Sequence, residues 1–148
     1  MKKLTTTTFR FLLAILFLAT SLGKLLDNRG FAEVLQTYQL FPSFTLMPLA
    51  LAISLSEFTL GIFTLLNKKI KFCSKAIHFI NSLYLALAIV SNLRGLNIPN
   101  CGCFGVFLAR PMTWNTVIED AILVLVSLVF LFQRSNTEGP YKNASNAS

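Results

Sequence analysis

At 148 residues the chain is one domain in size, yet 54% of it is hydrophobic, 13% is charged and the mean hydropathy is +0.64. That composition excludes an ordinary soluble domain. The net charge of +7 does not point to nucleic acid, because the basic residues sit in short segments between apolar blocks and form no stripe interleaved with aromatics.

Four apolar blocks follow one another along the chain, at about residues 9–26, 46–66, 75–93 and 114–132. Each approaches the roughly 20 residues that a helix needs to cross a hydrocarbon core. Inside a bilayer the backbone must satisfy its own hydrogen bonds, so such blocks are read as helices. The expected architecture is an all-α integral membrane protein, a four-transmembrane-helix bundle forming one membrane domain over residues 1–134. The first block has the basic start and apolar run of a signal peptide. No clean A-x-A site follows and the block continues past Lys24, so it reads as a retained helix.

Between the first two blocks, Phe31, Val34, Leu35 and Tyr38 recur at helical spacing opposite Glu33, Gln36 and Thr37, and Pro42 ends the run. This predicts a short amphipathic helix lying on the outer surface. In the second block Glu57 sits near mid-membrane with Ser54, Gly61 and Thr64 on its face. A charge there costs on the order of 2.5 to 3.5 kcal/mol on insertion scales, so that face should point into the bundle and Glu57 needs a partner or a proton. Lys24, near the end of the first block, is the candidate partner, and Asp120 in the fourth block is a titratable neighbour. His78 and Asn81 are assigned to contacts at the inner ends of helices, and Cys73, also at the inner end, to an inert free cysteine.

The segment from about 94 to 113 is rich in Gly, Asn and Pro, which favour turns. It contains Cys101-Gly102-Cys103, two of only three cysteines in the chain. A disulfide between residues i and i+2 closes a small ring and is prone to exchange where its geometry is strained. Gly102 lets the backbone turn, and Arg94 and Arg110 in the same loop would favour a thiolate. A static disulfide pinning the loop is the rival reading. Copper(I) binding by the two thiolates is a weaker one, since no Met-rich or His-rich tract accompanies the pair and no metal site is expected. Thr116-Val117-Ile118-Glu119 matches a capping box for the fourth helix, with Trp114 at the membrane interface. The tail from Ser135 reads as disordered and cytoplasmic.

Orientation follows from the flanking charges. Lys2, Lys3, Arg10, Lys68, Lys69, Lys71, Lys75, Arg134 and Lys142 fall on one side and Lys24, Arg29, Arg94 and Arg110 on the other. The positive-inside rule places both termini in the cytoplasm and the Cys101/Cys103 loop outside, in the periplasm of a bacterium. The thiols then face an oxidising compartment. A polar pocket beneath them, built around Glu57 and Lys24, would handle protons or a quinone headgroup, because thiol oxidation must discharge protons and electrons somewhere.

Taken in order, Gly23-Lys24 closing the first helix, the Tyr38 to Pro42 segment, Glu57 in the second helix and Cys101-Gly102-Cys103-Phe104-Gly105 before the fourth resemble the DoxX-like membrane proteins, specifically the MauE branch of methylamine-utilisation proteins. The resemblance implies a bacterial inner-membrane protein with an outward-facing redox pair. It also implies a part in maturing the disulfide-rich small subunit of methylamine dehydrogenase beside a thioredoxin-like periplasmic partner. Two other roles stay open: a non-catalytic assembly or transport factor with a structural loop disulfide, and copper handling.

Overall fold

The computed structural model describes residues 2–136. The described residues form five helices and no strand: α1 (Lys2–Leu26), α2 (Asn28–Thr37), α3 (Ser43–Leu65), α4 (Ile70–Leu93) and α5 (Trp114–Asn136). Four of them, α1, α3, α4 and α5, are long and apolar enough to cross a membrane, over Thr7–Leu26, Ser43–Leu65, Ile70–Leu93 and Trp114–Gln133. Large apolar side chains such as Leu12, Phe44, Phe72, Phe79 and Leu125 point outward, as a lipid-facing surface requires. The protein is an all-α bundle of four membrane-spanning helices.

Three of the spanning helices, α1, α3 and α4, begin somewhat earlier than the apolar blocks suggest. Lys71 and Lys75 belong to the first turns of α4, not to a connecting loop, and only residues 66–69 join α3 to α4. Both lysines have apolar stems long enough to lie along the helix while the ammonium reaches water. At the other end, Ser135 and Asn136 continue α5, and the rest of the expected tail lies outside the described residues.

α1 packs chiefly on α3, and α4 on α5. The two pairs meet along thinner seams, α3 with α4 and α1 with α5. On α3 the buried face is Ser54, Glu57, Leu60, Gly61 and Thr64, the face expected from its small residues. A methyl group on Gly61 would stand 2.9 Å from Leu18 Cγ, so this glycine lets α1 lie close.

The interior is layered. One apolar cluster holds Leu13, Phe17, Leu60, Cys73, Ile77 and Phe130. The other, at the thiol-loop end, holds Phe31, Val34, Tyr38, Leu46, Ala50, Ala88, Ile98 and Met112. Between them lie the buried polar side chains Lys24, Glu57, Asn81 and Asp120.

The expected short amphipathic helix is α2, and its apolar face turns into the bundle. Only Asp27 separates α2 from α1, and its carboxylate caps α2 by accepting from Gly30 N at 2.9 Å. Phe31, Ala32 and Val34 are buried in the core. An apolar stripe this strong is better satisfied over the open end of the bundle than at a membrane surface, and α2 forms its lid.

Candidate functional site

The thiol loop is held on three sides. Within it, Cys101 N donates to the Arg110 carbonyl (2.8 Å), Met112 N to the Ile98 carbonyl (2.9 Å) and Gly105 N to the Gly102 carbonyl (3.1 Å). Asn100 ties the turn together, donating from Nδ2 to the Gly105 carbonyl (3.0 Å) and accepting from Gly102 N (3.0 Å). From α2, the Tyr38 hydroxyl donates to the Cys101 carbonyl at 2.7 Å. Burial pushes the Tyr38 phenol far above its usual range, so it remains a donor.

Gly102 has φ +76°, and a side chain there would meet Val34 and Phe31 at about 3 Å. Against α1 the contact is backbone to backbone. A Cβ on Gly23 would stand 2.4 Å from the Phe104 carbonyl oxygen, and one on Gly105 would stand 2.5 Å from the Gly23 carbonyl oxygen. Gly23→Ala is therefore expected to destabilise the protein by about 1–3 kcal/mol through overpacking, although alanine is the better helix former. Thermal unfolding would check the loss, and faster alkylation of Cys103 would report the loosened loop.

The two cysteines are free thiols with sulfurs 3.0 Å apart. They share one proton unequally. The hydrogen bond between the two sulfurs brings Cys101 down to about 7 against an opposing effect of burial, with Arg110 adding a smaller attraction. Cys103 moves strongly upward, because its proton is engaged by Cys101 and its site is buried. Below pH 7 Cys101 is a thiol and above it a thiolate. Alkylation of Cys101 should rise through a midpoint near pH 7, and Cys103→Ala should move that midpoint up toward the ordinary thiol value of about 8.5. A midpoint unmoved in the alanine variant would contradict the hydrogen-bond origin of the shift.

Beneath the loop lies the polar layer. Lys24 Nζ contacts both Glu57 carboxylate oxygens, at 2.8 and 2.7 Å, and both side chains are almost wholly buried. Tyr84 completes the cluster: its hydroxyl donates to Glu57 and accepts from Lys24 at 3.2 Å. The Lys24 ammonium also lies over two rings, 5.2 Å from the Phe31 centroid and 5.0 Å from that of Tyr84. One lysine thus joins α1, α2, α3 and α4.

Lys24, Glu57 and Tyr84 line a cavity of about 60 Å³ together with Thr20, Asn81, Asp120 and Cys103. Asn81 Nδ2 is buried without a protein partner. The volume suits one or two enclosed waters, which that amide would bind. A second cavity, of about 310 Å³, shares Leu16, Cys103, Phe104, Asp120 and Leu123 with the first and is lined also by Cys101, Arg110 and Ile122 among others. Cys101 borders only the second cavity, whereas Cys103 and Asp120 border both.

The structure therefore brings Cys101, Gly102, Cys103, Lys24, Glu57 and Asp120 into one neighbourhood. Arg94 is not with the sulfurs. Its guanidinium donates to the Tyr38 carbonyl at 3.4 Å and steadies the end of α2. Arg110 does act on Cys101, while its own exposed guanidinium pairs with Glu119 at 2.6 Å. That pair replaces the expected capping role of Glu119. The fifth helix starts at Trp114, and Thr116 Oγ1 accepts from Thr113 N (3.4 Å) and donates to the Pro111 carbonyl (3.2 Å). Asn81 is also reassigned, from an inner helix contact to the cavity wall, whereas His78 Nδ1 does meet Ser127 Oγ at 3.0 Å. Cys73 is fully buried. Tyr84 escaped sequence reasoning because it carries no formal charge, but it lies three residues after Asn81, so the two share a helix face in mid-membrane.

The sequence model described as Methylamine utilisation protein MauE matches residues 2–133. The chain belongs to the MauE family. It is 35% identical over 147 residues to Protein TlpB of Flavobacterium psychrophilum, across 90% of this chain and 39% of that protein. It is 25% identical over 119 residues to Methylamine utilization protein MauE of Paracoccus denitrificans, across 80% of this chain and 64% of that protein. The chain thus spans less than two thirds of the length of both relatives. No solved structure matches it. The features by which the sequence resembles MauE proteins, Gly23-Lys24, Tyr38, Glu57 and the CGCFG run, are far apart in the chain but meet in the fold: Gly23 under Phe104 and Gly105, Tyr38 on Cys101, and Glu57 on Lys24.

Proposed function

We propose that this MauE-family chain is a thiol–disulfide redox factor of the bacterial inner membrane, in which Cys101 and Cys103 exchange disulfides with proteins outside the membrane. The observation that carries this reading is the asymmetry of the pair. Its surroundings bring Cys101 down to about 7 and push Cys103 strongly up, and Cys101 borders only the larger cavity whereas Cys103 borders both. In the oxidised form a client thiolate attacks the Cys101 sulfur, the S–S bond breaks, and Cys103 leaves as a thiolate that takes up a proton. A second client thiolate then attacks its own partner sulfur and displaces Cys101, whose low pKa makes it a good leaving group. The client gains a disulfide, and the pair becomes a dithiol.

Asp120, Lys24 and the cavity they line supply the proton for Cys103. The partner is a thioredoxin-like periplasmic protein or the client itself. By the resemblance to MauE, the small subunit of methylamine dehydrogenase is such a client. The charge distribution supports cytoplasmic termini and a periplasmic loop. With Lys24 held by Glu57, the outer flank keeps Arg29, Arg94 and Arg110 against the basic residues of the inner flank.

A purely structural disulfide is a weaker account. Joining residues 101 and 103 would close a very short loop, which constrains the unfolded chain little. The loop is already fixed by backbone bonds and by Tyr38. Alkylation of intact cells with and without mild reductant tests the choice. A mixed population of thiols and disulfide is expected, and a pair that stays resistant until denaturation would contradict exchange.

A further inference from the structure

The α3–α4 turn lies at the end of the bundle away from the thiol loop, with Phe63 and Ile70 packed on the cluster around Phe17 and Phe130. Beside it is a cavity of about 620 Å³ lined by Phe63, Asn67, Lys69, Ile70, Lys71 and Phe72. Four lysines, Lys68, Lys69, Lys71 and Lys75, fall within eight residues, and the sequence holds no acidic residue between Glu57 and Glu119. They stand where elementary electrostatics disfavours them. Lys69 is the N-cap of α4 and Lys71 lies in its first turn, where the helix dipole repels cations, and Lys71 and Lys75 are like charges one turn apart. Lys69 also has φ +47°, a left-handed conformation that lysine resists and asparagine tolerates. A bias of basic residues toward one side of a membrane asks only that lysines lie somewhere in the flank. It does not account for lysines held at these positions around a cavity. A bound anion does, because it turns their mutual repulsion into a shared attraction.

The walls of the cavity select the anion. Phe63, Ile70 and Phe72 are apolar, and exposed Leu65 and Leu66 extend that surface at the end of α3. A water-soluble phosphate would leave these side chains unused. A phospholipid sets its phosphodiester among the lysines and its acyl chains along the apolar wall. A zwitterionic headgroup would bring its own cation to the lysines and is disfavoured. We infer that the α3–α4 turn binds an anionic phospholipid, with its phosphodiester at Lys69 and Lys71 and its acyl chains along Phe72 and Leu66. This site is independent of the exchange role proposed above.

The test uses the full-length protein in lipid nanodiscs. Trp114, the single tryptophan, is replaced by phenylalanine and Phe72→Trp is introduced, so that fluorescence reports the cavity alone. Brominated phosphatidylglycerol should quench it with an apparent affinity about tenfold above that of brominated phosphatidylcholine. Lys69→Asn suits the left-handed turn, so the protein should unfold no more readily than its parent, yet the preference should fall about fivefold. Lys75→Gln removes the same charge outside the cavity wall and should lower the preference by less than about twofold. Equal quenching by the two lipids, or equal losses in the two lysine variants, would reduce the cluster to diffuse attraction and overturn the site. Glycerol phosphate in excess should leave the quenching by phosphatidylglycerol intact. Its relief would assign the cavity to a water-soluble anion and overturn the lipid. Should Phe72→Trp fail to fold, mass spectrometry of wild-type protein released from nanodiscs of the two lipids decides. Selective retention of phosphatidylglycerol supports the site, and equal retention of both overturns it.

Discussion

Replacing Cys103 by serine should give a protein that inserts normally and accumulates mixed disulfides through Cys101, whereas replacing Cys101 should give no such species. In wild-type protein a mixed disulfide at Cys101 is short-lived because Cys103, 3.0 Å away, attacks it. Serine cannot form that bond, so the adduct persists. Cys103 alone is a poor substitute, since the burial of its site still pushes its thiol upward when Cys101 is gone. Client maturation should fall to background in both variants. Non-reducing electrophoresis of membranes after acid quenching distinguishes them. Equal trapping through either cysteine would mean that the asymmetry of their surroundings has no chemical consequence.

The second large effect concerns the ion pair beneath the thiols. Lys24→Met or Glu57→Leu alone leaves one buried charge facing Tyr84 and Asn81, and each should destabilise the protein by about 3–5 kcal/mol. The double variant removes both charges and should recover most of that loss, because an apolar pair of similar volume escapes the desolvation cost. Unfolding monitored in detergent would establish the cycle, with an interaction energy well above the scatter for independent sites. The double variant also separates structure from function. If the pair only joins helices, the stable double variant exchanges disulfides at the wild-type rate. If it manages the proton and charge of Cys103, exchange is slow although the fold is intact, and the second outcome is the one expected.

Most of the architecture was legible because a bilayer leaves few alternatives. Four blocks near 20 residues had to be helices, and a mid-membrane Glu57 had to find a partner. Lys24 was readable as that partner because both charges were too costly to leave alone. Tyr84 was not, since a tyrosine carries no such penalty in the sequence. The short helix α2 was readable too, but what its apolar stripe packs against was not. Its apolar stripe is equally suited to a membrane surface and to the open end of a bundle, and only the tertiary fold decides between them. The capping assignment at Thr116 failed because a four-residue pattern does not fix which residue starts the helix, and Glu119 had a stronger partner in Arg110 across the loop. Arg94 and Arg110 looked alike in sequence, yet backbone geometry sends one to Tyr38 and leaves the other beside Cys101.

The glycine contact between α1 and the thiol loop also ties the position of the sulfurs to that helix. With Gly23 and Gly105 meeting through main-chain atoms, no flexible side chain cushions the joint, so the sulfurs ride on α1 as a fixed attachment. A thicker or thinner bilayer changes the tilt of a spanning helix, and any change in the tilt of α1 would raise or lower Cys101 relative to the headgroups. Lipid thickness would thereby tune how readily a water-soluble partner reaches the thiolate.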